Sequence, residues 1–146
     1  MTLYLDTSSL IKLYVAETGS DRVHRAAGEA TALSTSRVTY TETRAAFARL
    51  RREGHLTPSA FMSAKRQFDE QWTSYLAVEV TDALCREAAA LAELYGFRGF
   101  GSIHLASYAE IARAAGAEAH RFSSFDDRLN DAARKLTRAL ERNRSK

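Results

Sequence analysis

The chain has 146 residues, 45% of them apolar and 27% charged, values that fit one globular domain with a full core and exclude a disordered or fibrous chain. No apolar run approaches the roughly 18 residues of a membrane span, and Asp6 and Lys12 fall where a signal peptide would be apolar, so a cytoplasmic protein is expected. The net charge is +3, with basic residues gathered in RKLTRALERNRSK (134–146) and at Arg44, Arg49, Arg51 and Arg52, stripes that suit nucleic acid, an acidic partner, or simply a solvated helix face.

In chain order, TLYLD (2–6) is a strand rich in β-formers and closed by Asp6. SSLIKLYVAE reads as a helix that Thr7 or Ser8 can cap, broken at Gly19 and followed by a second helix, SDRVHRAAGEA. ALSTS (32–36) is a second short strand. RVTYTETRAAFARLRREG is a helix ending at Gly54. TPSAFMSAKRQFDEQWTSY opens with Thr57 as cap and Pro58 at the first helical position, a strong start signal. LAVEV (76–80) is a third strand. TDALCREAAALAELYG is a helix with Gly96 past its end, and it carries the single cysteine, Cys85, expected to be a buried structural thiol. SIHLASYAEIARAAG is a helix that begins just after Gly101. AHRFSSF (119–125) is a last strand and DDRLNDAARKLTRALERN a last helix. Strands alternating with helices imply an α/β fold around a mostly parallel sheet, whose ligands bind beyond the carboxyl ends of the strands.

Two strands end in acids, Asp6 and Asp126. Each has a plain alternative role as a helix cap or a charge at a helix N-terminus. Asp126, nearer its strand, is the preferred ligand and Asp127 its neighbour. Glu42 shares a helix face with Val38, Ala45 and Ala46, where an unpaired charge is costly to bury. Carboxylates converging at one sheet end meet the needs of Mg2+ or Mn2+, hard cations that take oxygen ligands. His24, His55, His104 and His120 are scattered, without zinc spacing. His104, between Ile103 and Leu105, is expected to be a hydrogen-bonded interior residue rather than a ligand.

Taken together, LYLDTSSLIKLY, the Glu of TYTETRAAFARL, FRGFGSIHLAS and FSSFDDRLNDAA resemble, in order and spacing, the PIN-domain ribonucleases that serve as toxins of VapBC toxin–antitoxin pairs. The resemblance implies a three-layer α/β/α domain over residues 1–140, with 141–146 a basic tail. It implies Mg2+- or Mn2+-dependent RNA hydrolysis with Asp6, Glu42 and Asp126 as catalytic, metal-holding acids. Thr7, Ser8, Ser124 and Asp127 would support them. It also implies a homodimer neutralised by a cognate antitoxin, a segment of which lies across the active-site groove. RNA phosphates would lie on Arg44, Arg49, Arg51 and Arg52.

The departure is at the third acid. Where the family reads R-x-x-D-A-I-H-L-A, this chain has Arg98-Gly99-Phe100-Gly101-Ser102-Ile103-His104-Leu105-Ala106. Ser102 is expected to cap the helix in place of the lost carboxylate. Gly101 reads as an inactivating change, as decay to a binding-only protein, or as a loss that Asp127 or a water makes good. The alternatives are therefore a nuclease with impaired cleavage and a non-catalytic PIN-fold protein that binds an antitoxin or RNA. A receiver domain would pair acids after the first strand and end a middle strand in Asp. A dehalogenase-type phosphatase would read D-x-D, where here Ser8 stands.

Overall fold

The computed structural model describes residues 1–146. Four strands, β1 (Thr2–Leu5), β2 (Ala32–Ser36), β3 (Leu76–Val78) and β4 (His120–Ser123), form one parallel sheet in the order β3-β2-β1-β4. Between and after them run α1 (Thr7–Leu10), α2 (Ser20–Glu29), α3 (Val38–Arg52), α4 (Pro58–Trp72), α5 (Asp82–Tyr95), α6 (Gly99–Ala115) and α7 (Asp127–Arg144).

Alternation along β1 builds the three layers. Leu3 and Leu5 face one side and pack with Val23, Phe47 and Phe68 from α2, α3 and α4. Tyr4 faces the other side and packs with Leu84 and Leu91 of α5, Leu105 and Tyr108 of α6, and Leu129 and Leu136 of α7. The sheet thus carries helices on both faces, which is the expected α/β/α arrangement.

The strand order reverses at β1. β2 and β3 extend the sheet to one side, whereas β4 pairs with the opposite side of β1, Leu5 against Ser123. The carboxyl ends of β1 and β4 therefore border the crevice where doubly wound sheets bind ligands.

Several local expectations change. The segment 8–17 is not one helix: α1 gives way to a 3-10 turn, Ile11–Leu13, that closes at Tyr14. Cys85 is exposed, because the buried stripe of α5 is Leu84, Ala88 and Leu91 and Cys85 lies about 100° round from Leu84. The buried face of α3 is Thr39, Thr43, Ala46 and Phe47, with Ala45 outside it, so Glu42 borders the core stripe instead of lying within it. α6 starts at Gly99 with Arg98 in the extended N-cap conformation, which puts Gly101 inside the first turn. Ser102 is buried and its hydroxyl has no partner, so it does not cap the helix. α7 continues through the basic residues Arg142 and Arg144. No helix is long and apolar enough to cross a membrane.

Candidate active site

Asp6 sits one residue past β1, its residue 6% exposed, and caps α1: Oδ1 accepts from the Ser9 amide at 3.0 Å and from Ser8 Oγ at 2.7 Å. Its other oxygen accepts from Ser124 Oγ at 2.5 Å. The same Ser124 hydroxyl accepts from the Asp126 amide at 3.0 Å. Ser8 Oγ in turn accepts from the Phe125 amide at 2.9 Å. One serine on each side thus stitches the end of β1 to the end of β4.

Asp126 is the N-cap of α7. Its Oδ1 accepts from the amides of Arg128 and Leu129 at 3.0 and 3.3 Å, and no protein group binds Oδ2. The helix-capping role and an outward-facing free oxygen therefore coexist in one carboxylate. Asp127 is exposed in the first turn of α7, where it adds negative charge at the helix N-terminus.

Glu42 comes from the second turn of α3, its side chain 27% exposed. Both of its protein contacts fall on Oε1: Thr7 Oγ1 donates at 2.6 Å and His104 Nε2 lies at 3.1 Å. Burial works to raise its pKa, but the hydrogen bonds from His104 and Thr7 outweigh it and hold the carboxyl below its ordinary value. His104 reaches Glu42 from α6, one turn beyond Gly101 and on the same helix face.

A Cβ at Gly101 would meet only Leu129 Cδ1 at 3.6 Å and Phe97 Cβ at 3.9 Å, both ordinary contacts. Leu129 lies in the helix turn that Asp126 caps. Position 101 thus packs beside the first turn of α7, and a Cβ fits there without a clash.

The structure joins these residues in two hydrogen-bonded groups, Asp6, Ser8, Ser124 and Asp126 in one and Thr7, Glu42 and His104 in the other, which meet through the Asp6–Thr7 peptide bond. The arginines of α3 lie elsewhere. Arg51 stands nine residues beyond Glu42, about 14 Å along the helix axis, as α3 runs back from the carboxyl end of the sheet. Arg44 is held by both Asp69 oxygens at 3.1 and 3.0 Å and by Tyr40 Oη at 3.0 Å. Nearer cations went unnoticed in the sequence because they are far apart along it. Lys12 and Arg22 lie over the Phe125 ring, 4.4 and 4.7 Å from its centroid, and Phe125 sits between Ser124 and Asp126. Arg128 lies over Phe97 at 5.2 Å.

The chain matches the family model described as PIN domain over residues 3–135. It belongs to the PIN-domain family. It is also 35% identical over 105 residues to each of two proteins of Mycobacterium tuberculosis, Ribonuclease VapC45 and Ribonuclease VapC49, covering 72% of this chain and 73% of each relative.

The donor set suits a hard divalent cation in kind, since every free donor in the group is an oxygen and Glu42 Oε2 and Asp126 Oδ2 have no protein partner. It falls short in number. No three His, Cys, Asp or Glu side chains converge into a group that could hold a metal ion.

Proposed function

We propose that this chain is the toxin-type ribonuclease of a VapBC-like pair, with Asp6, Glu42 and Asp126 as its metal-holding acids and with cleavage impaired or absent because Gly101 occupies the place of the third acid. The observation that carries the reading is the stitch at the reversal point of the sheet, where Ser124 links Asp6 to Asp126 and Thr7 links the same loop to Glu42. The two curated relatives, both named ribonucleases, support it.

In this reading Asp6, Glu42 and Asp126 would hold Mg2+ or Mn2+, which when bound would supply an activated water and charge neutralisation at the scissile phosphate. The residues of the chain orient the acids. Ser8, the Ser9 amide and Ser124 fix both oxygens of Asp6. The α7 amides fix one oxygen of Asp126 and leave the other free. Thr7 fixes one oxygen of Glu42. A missing carboxylate at position 101 costs on the order of 10–100-fold in metal affinity or activity when it acts through a metal water, and more when it is a direct ligand. Arg22 and Arg128 border the group and are better placed for RNA phosphates than Arg49, Arg51 and Arg52, while Lys12 is held by Glu17 at 2.8 Å. A cognate antitoxin, a homodimer and a cytoplasmic site of action complete the proposal.

The test is an RNA-cleavage assay with Mn2+ on the native chain, on Gly101→Asp, and on Gly101→Asp combined with Asp6→Asn. The native chain is expected to cut weakly or not at all, Gly101→Asp to cut, and the Asp6→Asn combination to lose the gain. A Gly101→Asp chain that neither binds Mn2+ nor cuts RNA sinks the nuclease reading. The second reading, a non-catalytic PIN-fold protein that binds antitoxin or RNA, is favoured by the missing three-acid cluster. It predicts that the native chain binds its ligand with no cleavage at any Mn2+ concentration.

A further inference from the structure

His104 is 3% exposed and touches the acid group without belonging to it. Its two ring nitrogens face different chemistries. Nε2 lies 3.1 Å from Glu42 Oε1 and 3.3 Å from Thr7 Oγ1, while Nδ1 lies 2.9 Å from Tyr4 Oη. A carboxylate oxygen only accepts, so Nε2 must carry a proton. In the neutral ring Nδ1 is then left as an acceptor, and the Tyr4 hydroxyl donates to it. Tyr4 is fully buried, stacked on Phe122 at 5.3 Å and edge-on to Tyr108 at 6.0 Å, so its hydroxyl stands on a rigid base at the middle of the sheet.

We infer that His104 is a positioning residue for Glu42, held by Tyr4 with its proton on Nε2, so that it fixes Glu42 Oε1 and turns Oε2 outward as the free oxygen of the site. The relay runs in one direction, from Tyr4 Oη–H to Nδ1 and from Nε2–H to Oε1. Thr7 secures the same oxygen from the β1 side at 2.6 Å. Two donors on one carboxylate oxygen leave the other unopposed, which is what a group offering a single oxygen to a cation or to a metal water needs. Nothing in the chain's motif spacing marks this role: Tyr4, Thr7, Glu42 and His104 come from β1, α1, α3 and α6. The value of the orientation rests on the proposed function, whereas the orientation itself is a property of the chain alone.

Two measurements separate these levels. The first is the long-range 15N–1H spectrum of the histidine rings, in the native chain and in Tyr4→Phe. The native ring of His104 is expected to show a protonated Nε2 and a bare Nδ1, and Tyr4→Phe, which deletes only the hydroxyl, is expected to shift it to a mixture of tautomers. A proton on Nδ1 in the native chain, or a ring indifferent to Tyr4→Phe, overturns the inference. The second is Mn2+ affinity in the native chain, His104→Ala and His104→Gln, in both the native and Gly101→Asp backgrounds, with folding checked by circular dichroism. The Gln side chain can place an N–H where Nε2–H was. His104→Ala is expected to weaken Mn2+ binding about 10–100-fold, and His104→Gln to recover most of the loss. Equal losses in both variants overturn positioning, because a filler of the core gains nothing from the retained donor. Absence of Mn2+ binding in every chain, Gly101→Asp included, defeats the metal reading of the site, and the ring spectrum then decides the orientation by itself.

Discussion

Gly101 stands in the first turn of a 17-residue helix, in a helical conformation that any residue can adopt, and a Cβ there would make only ordinary contacts with Leu129 and Phe97. Glycine there forgoes about 0.5–1 kcal/mol of helix stability relative to alanine. Gly101→Ala is therefore expected to raise unfolding stability by about that amount, read as a shift in urea midpoint at unchanged slope. A loss of stability would mean that the space is not free. The backbone does not require glycine here, in contrast to Gly96, whose φ of 72° closes α5. The gap in the acid set was legible in the sequence because FRGFGSIHLAS holds its neighbours in register. The His104 contact was legible only as an interior histidine, since its partners lie 100 and 62 positions away.

At the scale of elements, Asp126 caps α7 and, in the proposed function, also holds the metal. Asp126→Ala removes both, and should cost about 1 kcal/mol through the lost cap. Asp126→Asn keeps a capping oxygen and removes the charge, so thermal stability should stay near the native value while Mn2+ binding falls. If the two variants are equally destabilised, the cap is not what Oδ1 contributes. The sequence offered both roles for Asp126 as alternatives; in the structure Oδ1 caps α7 and Oδ2 has no protein partner. Elements with capping and punctuation signals were read well: α4 begins at Pro58 behind Thr57, whose hydroxyl accepts from the Ala60 amide. The start of α6 was misplaced by three residues because Arg98 caps without any side-chain bond, so no capping residue announces it. Cys85 was misjudged because an alanine-rich helix such as DALCREAAALAEL offers several equally plausible apolar stripes.

For the molecule as a whole, charge and burial set the conditions under which the fold holds. Burial raises the pKa of Tyr4, Tyr14, Tyr75 and Tyr108, in Tyr14 with help from Tyr75 and in Tyr4, Tyr75 and Tyr108 against opposing hydrogen bonds from Ser107, Tyr14 and Thr137. A tyrosine whose folded pKa lies above its unfolded value of about 10 contributes stability that is whole below that pH and drains away as pH rises above it. In an alkaline titration at 295 nm, these four rings are expected to ionise late and together with unfolding followed by circular dichroism. Early ionisation of the full tyrosine complement in a still-folded chain would contradict this. RNA binding should weaken with salt, and the slope should shrink more on neutralising Arg22 and Arg128 than on neutralising Arg51 and Arg52. The opposite ranking would move the RNA path to the far end of α3. The parallel α/β class was readable from the alternation of elements, but the strand order was not. No local pattern says that the last strand returns to pair with the first.

That return also governs when the site comes into being. Asp6 and Ser124 are 118 positions apart, and β1 lacks one of its two neighbours until β4 is in place. Domains emerge from the ribosome N-terminal end first, so a growing chain displays Asp6 long before Ser124 and Asp126 can close on it. Pairings this distant in sequence are also the slowest to form. The contact between Asp6 and the loop after β4 therefore forms only once the last strand has been released to fold.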